Sequence, residues 1–222
     1  MTTLGDLQAA YNANLAGHAP VASAGAANDA FEVYVLTLAL RAGREEGGAV
    51  TFESATGVAS PSPLRFRTAP GSIYSTSMNY THAAVSFASG LVYEAHIGVY
   101  VEGLSGVLHE CDLAIITADE ARFCRRNQVH PKRADVLLTA ECKFYTGKLG
   151  IALGREFLGT TADLGREGRF LLSNSDGRSV DRVLAHHKRK RHFRLTPLDA
   201  DAETQVVAQF REVFRNAIAK RR

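Results

Sequence analysis

Two stretches decide how this chain is read: Val107-Leu108-His109-Glu110-Cys111-Asp112-Leu113-Ala114-Ile115-Ile116-Thr117 and Ala134-Asp135-Val136-Leu137-Leu138-Thr139-Ala140-Glu141-Cys142-Lys143-Phe144-Tyr145. Each carries a short apolar run, residues 113–116 and 136–140, with the length and composition of a buried strand. Strand side chains alternate between faces, so Glu110 and Asp112 project together, as do Glu141 and Lys143. Carboxylates at the ends of apolar strands lose hydration and repel one another, which is unfavourable unless a cation neutralises them. Asp and Glu oxygens are hard ligands of the kind Mg²⁺ or Mn²⁺ prefers. A lysine beside such a metal adds a positive charge that orients, or helps to deprotonate, an attacking water. This equipment suits hydrolysis of a phosphodiester.

Working outward, residues 92–101 read as a strand and Glu102-Gly103-Leu104-Ser105-Gly106 as a turn, with residues 107–117 as the antiparallel partner. Residues 121–133 read as a basic connection, carrying Arg122, Arg125, Arg126, Lys132 and Arg133. The strand 134–145 follows, then a helix over 148–158 and a strand over 168–174. Upstream, residues 3–15 read as a short helix and the Gly- and Ala-rich 16–27 as a linker. Asn28 or Asp29 is the expected cap of a largely buried helix reaching Leu40. Residues 50–90, with Pro61, Pro63 and Pro70, read as a β-rich insertion of irregular chain and short strands. Residues 203–220 form an amphipathic C-terminal helix.

The order helix, three strands, helix, strand, with an acidic residue on the second strand and acid-x-Lys on the third, resembles the PD-(D/E)xK nuclease superfamily. Its restriction-endonuclease-like fold is an α/β core, a small mixed β-sheet flanked by helices, and the resemblance covers Glu32 and residues 92–174. It implies that Asp112 is the first metal ligand, Glu141 the second and Lys143 the catalytic lysine, with the Cys142 backbone carbonyl also offered to the metal. Many members present a glutamate from a helix before the sheet, and Glu32 stands in that place. The proline that commonly precedes the first aspartate is replaced by Cys111. The cofactor implied is Mg²⁺ or Mn²⁺ and the substrate nucleic acid, with DNA favoured. Relatives of this kind include restriction enzymes and antiphage defence effectors, some gated by a small nucleotide activator, and a double-strand cut needs two sites, hence a homo-oligomer.

Composition fits one domain: 222 residues with 45% hydrophobic content bury a substantial core. Residues 1–27 would be the N-terminal helix and linker, 28–43 the core helix, 50–90 the insertion, 91–175 the catalytic core and 176–222 the basic segment with its helix. The sequence lacks a membrane-length apolar run and a signal-peptide pattern at its start, and its three cysteines form no disulfide framework, so a cytoplasmic setting is expected. Cys111, Cys124 and Cys142, with His130 nearby, lack Cys-x-x-Cys spacing and read as small buried hydrophobes rather than zinc ligands.

The net charge is only +3, yet residues 186–194 concentrate basic side chains. A phosphate-tracking surface of Lys148, Arg125, Arg126, Lys188, Arg189, Lys190 and Arg191 is the expectation beside a metal site. Arg65 and Arg67, on one face if extended, and Tyr145 are further candidates for phosphate contact. Against this stand plainer readings: a solvated basic face, a surface Glu141–Lys143 ion pair, Glu32 as a helix-surface carboxylate, and Glu110 as an accessory or edge residue. A catalytically silent nucleic-acid-binding or assembly module with the same fold is the alternative function.

Overall fold

A computed structural model describes residues 2–22 and 25–220; Ser23 and Ala24, within the expected linker, lie outside the described residues. The described residues fold as an α/β protein with six α-helices and one seven-stranded mixed sheet whose spatial order follows the sequence. Helices α1 (Leu4–Asn14) and α2 (Ala27–Glu45) come first, then β1 (Ala49–Ser54), β2 (Thr81–Ser86), β3 (Val92–Glu102) and β4 (Leu108–Thr117). Next are α3 (Ala118–Asn127), β5 (Val136–Lys143), α4 (Ile151–Leu164), β6 (Arg169–Ser173), α5 (Arg178–His186), β7 (Lys190–His192) and α6 (Ala200–Lys220). Strands β1 to β5 are antiparallel neighbours, whereas β5, β6 and β7 run parallel. Parallel neighbours require crossovers, which α4 and α5 supply.

Helix α2 is apolar over most of its central turns because neighbours cover it there. It packs on strands of the sheet and on both α1 and α6, so Phe31, Tyr34, Leu36, Leu38 and Leu40 are all fully buried. Each such side chain contributes roughly 1.5–3 kcal/mol by leaving water. Along β6 the strand alternation divides two cores directly. Phe170 and Leu172 join the core under α2 and α6, and Leu171 joins Leu149, Phe157, Val180 and Leu184 beneath α4 and α5.

Several elements differ from the sequence reading. The stretch read as an insertion delivers β1 and β2 to the same sheet, which is therefore larger than the small sheet expected. The basic connection after β4 is mostly the helix α3: Thr117 caps it by accepting from the Glu120 N–H, and Asp119 and Glu120 favour its N-terminus. Helix α2 begins at Ala27 with Ala26 as N-cap and no side-chain cap, so neither Asn28 nor Asp29 plays that part. Helix α4 starts at Ile151 and leaves Lys148 in the preceding loop. Residues 186–194 span the end of α5 and the edge strand β7.

The sheet splits at one point. Pairing of β4 with β5 reaches its limit at Leu113 and Ala140, yet β4 stays paired with β3 out to Leu108 and β5 stays paired with β6 out to Lys143. The two central strands thus fork just where Asp112 and Glu141 follow. Gly98, between the Ile97–Leu113 and Val99–Cys111 pairs, lies across from Asp112 with φ +60°. The Ala69 carbonyl comes within 3.2 Å of where a Cβ would stand, so both backbone and space favour glycine there.

Candidate active site

At the fork the missing ladder bond is replaced by a side chain. The Cys142 N–H donates to Asp112 Oδ2 at 2.7 Å, which ties the two strands together after their backbones have parted. Glu141 and Lys143 leave β5 on the opposite side from Ala140 and Cys142, which are buried beneath α2. Lys143 Nζ lies 2.5 Å from Glu141 Oε1 and 3.8 Å from Asp112 Oδ2. The three residues named from the sequence therefore meet. They line a cavity of about 290 Å³ with Glu110 and His109 from β4, Leu171 from β6, and Leu153, Glu156, Phe157 and Thr160 from α4.

Charge at the fork is poorly compensated. Burial, then repulsion from Glu141, pushes the Asp112 carboxyl up to about 7. Burial also pushes Glu32 up to about 9, with further contributions from Asp112, Asp29 and Glu110; this α2 carboxyl feels the charge of the fork but does not line the cavity. Glu110 is raised as well, by burial and by Glu141. Burial works against the Lys143 cation, but Glu141 and Asp112 outweigh it and hold the ammonium well above the ordinary lysine range. Lys143 therefore stays charged at neutral pH and serves as a cation and hydrogen-bond donor. That is the positive charge that the sequence reading assigned to it beside an attacking water.

The β3–β4 hairpin is fastened over the cavity by Asp163, on the last turn of α4. Its carboxylate accepts from the Ser105 N–H at 2.8 Å and the Ser105 hydroxyl at 2.6 Å, and its Oδ2 lies 2.7 Å from His109 Nε2. Hydrogen bonds from Ser105 and then His109 hold the Asp163 carboxyl down at about 2. Glu156, Thr160 and Asp163 follow one another at helical spacing, so one stripe of α4 forms the wall and its latch. On the far side, Asn174 clasps the loop after β5, accepting from the Tyr145 N–H at 2.8 Å and donating to the Tyr145 carbonyl at 3.0 Å. Tyr145 and Lys148 are exposed on that loop.

The remaining basic candidates disperse. Arg125 is committed to Glu94 through two bonds of 2.7 Å, while Arg126 is exposed on α3. Lys188 is exposed, Arg189 is buried, Lys190 pairs with Glu212 and Arg191 with Asp181, all of them at the β7 side of the molecule. Arg67 is buried over the Tyr80 ring, 3.8 Å from its centroid, and donates to the Ser72 carbonyl, so it offers nothing to a phosphate; Arg65 remains exposed. All three cysteines are free and buried, as expected for small hydrophobes.

A second cluster escaped the sequence reading. His82, Glu94 and His96 hold three potential ligand atoms within 4.8 Å of one another beneath α3. Arg125 already neutralises Glu94, so a dication there would stand beside a guanidinium in a dry interior. The Nδ1 atoms of both histidines also lack the acceptors that usually orient a ligating imidazole. The cluster works as a polar pin: Arg125 ties α3 to β3, and burial, then His96, presses the His82 imidazole down to about 3, so that it is neutral.

Compared with known proteins, the chain matches no family model, no curated protein and no solved structure. Among the described residues no helix is long and apolar enough to cross a membrane.

Proposed function

We propose that this chain is a divalent-metal-dependent nuclease that hydrolyses phosphodiester bonds, with a restriction-endonuclease-like core made of α2, β3, β4, β5, α4 and β6. The observation that carries the reading is the fork itself, where two strands part and Asp112, Glu141 and Lys143 converge in a cavity walled by α4. The order of those six elements, with β5 and β6 parallel across α4, supports the fold assignment.

The donor set fits Mg²⁺ or Mn²⁺. It consists of hard oxygens, and Asp112, Glu110 and Glu32 are all pushed towards their protonated forms, so the fork lacks positive charge that a dication provides. Asp112, Glu141 and Glu32 are the residues to hold it, with the Cys142 carbonyl as a backbone donor. A bound dication supplies charge stabilisation at the scissile phosphate and a more acidic water. The chain's own groups do the rest. Lys143, kept cationic by Glu141 and Asp112, donates to the attacking water or a phosphate oxygen and so fixes the line of attack. The apolar wall of Leu153, Phe157 and Leu171 limits water to the reacting face of the cavity.

The test is incubation with plasmid, linear duplex, single-stranded DNA and RNA in Mg²⁺, Mn²⁺ or EDTA, beside Lys143→Ala. Metal-dependent cutting that falls on the order of a hundredfold or more in the variant is expected. Binding without cutting on every substrate, or equal cutting by the variant, sinks the proposal.

A further inference from the structure

The cavity wall carries one imidazole, His109, a group that can give up a proton to a substrate and is held by a carboxylate outside the acidic fork. Lys143 is held between Glu141 and Asp112, and the remaining polar lining is Glu110, Glu156, Thr160 and His109. His109 stands in the wall with its side chain mostly buried, and its Nε2 is fixed on Asp163 Oδ2 at 2.7 Å. That bond settles the imidazole's orientation and leaves Nδ1 as the nitrogen free to act. Asp163 does not need the imidazole to fasten the hairpin. The Ser105 N–H and hydroxyl, together with the Leu104 N–H on the Asp163 carbonyl, already do so. The carboxylate–imidazole pair is thus an addition to the latch, placed where the latch meets the cavity.

We propose that His109, oriented by Asp163, is the general acid that protonates the leaving oxygen, a reading that rests on the nuclease function above. As a water oxygen bonds to phosphorus, the bond from phosphorus to the departing nucleoside oxygen breaks and leaves its electron pair on that oxygen. The oxygen takes the proton from Nδ1 of the imidazolium and departs as a hydroxyl. The proton lost by the water passes to solvent, and solvent reprotonates the imidazole. Asp163 holds the ring through its Oδ2–Nε2 contact, in the way a carboxylate orients a catalytic histidine. Lys143 on the attack side and His109 on the departure side divide the work across one cavity.

Bridging sulfur gives the test. A thiolate is a far better leaving group than an alkoxide and departs without a proton. Oligonucleotides carrying sulfur in place of the 3′ or the 5′ bridging oxygen are therefore compared with all-oxygen ones in Mg²⁺, using wild type, His109→Ala, His109→Gln, Asp163→Asn and Lys143→Ala. His109→Gln retains a donor for Asp163 and checks that loss of the ring does not simply unfasten the hairpin. On the oxygen substrate both His109 variants should lose roughly 10²–10⁴-fold in kcat. On the sulfur substrate whose leaving position matches they should approach wild type, while Lys143→Ala stays slow on both. Wild-type rates on oxygen, or an equal loss on oxygen and sulfur, overturn the acid role and leave the nuclease reading standing. Failure of wild type to cut any substrate overturns both.

Discussion

Glu32 is the residue whose replacement says most about the fork. Its carboxyl is pushed from 4.5 up to about 9 by burial, then by Asp112, Asp29 and Glu110. A carboxyl whose folded value is raised contributes its stability below the unfolded value and loses it as pH rises through the folded one, so the window is pH 4.5 to 9. At roughly 1.4 kcal/mol per pH unit, keeping Glu32 protonated costs the metal-free protein about 3 kcal/mol at pH 7. Glu32→Gln removes the charge at nearly constant volume. In EDTA it should match wild type near pH 4.5 and become more stable by up to about 3 kcal/mol at pH 7, measured by urea unfolding at a series of pH values. Adding Mn²⁺ should then stabilise wild type more than the variant, because only the carboxylate can join the ion. A stability gain that does not depend on pH refutes the burial argument, and equal Mn²⁺ shifts in the two proteins refute Glu32 as a ligand.

Two further outcomes concern the polar pin under α3. The His82 imidazole is held down at about 3 by burial and His96, so its stability is present above the unfolded value of 6.5 and is lost as pH falls towards 3. Wild type should therefore lose up to about 1.4 kcal/mol per pH unit through this group below pH 6.5, and His82→Gln should flatten the profile there; an unchanged profile contradicts the assignment. With the fork disabled by Asp112→Asn, calorimetric titration with Zn²⁺ should detect no buried site, and uptake of one equivalent abolished by His96→Gln would turn the pin into a metal centre.

What could be read from the sequence was local. Apolar runs flanked by Glu110-Cys111-Asp112 and Glu141-Cys142-Lys143 specify strands and the faces of their side chains, and the structure brings Glu110, Asp112, Glu141 and Lys143 to one cavity. Helix α3 was hidden by its basic composition, although Thr117 and Glu120 carried a cap signal that could have revealed it. The basic run 186–194 obscured α5, whose buried Val180 and Leu184 are one turn apart. Other features depend on tertiary pairing that no short pattern encodes. Asp163 meets His109 across 54 residues, and Glu94 meets Arg125 across 31. Glu156, Thr160 and His109, further polar residues of the cavity wall, become recognisable only once α4 and the hairpin are placed together.

Asp112 carries two duties, and separating them decides how the site must be tested. As a carboxylate it crowds the fork, and burial with Glu141 pushes it up to about 7. As an acceptor it satisfies the Cys142 N–H at 2.7 Å in the position where a ladder bond is missing. Asp112→Ala removes both, leaving a buried N–H unpaired at a cost of about 1–3 kcal/mol that offsets the relief of charge. Asp112→Asn keeps the acceptor and removes only the charge. The asparagine variant should thus be at least as stable as wild type in EDTA at about pH 8, where the carboxyl is ionised, and the alanine variant less stable than asparagine by that amount. Urea unfolding of the three proteins checks this order. Equal stability of alanine and asparagine would mean that the strands stay closed at the fork without the side chain, and that the parting of β4 from β5 is set elsewhere in the sheet.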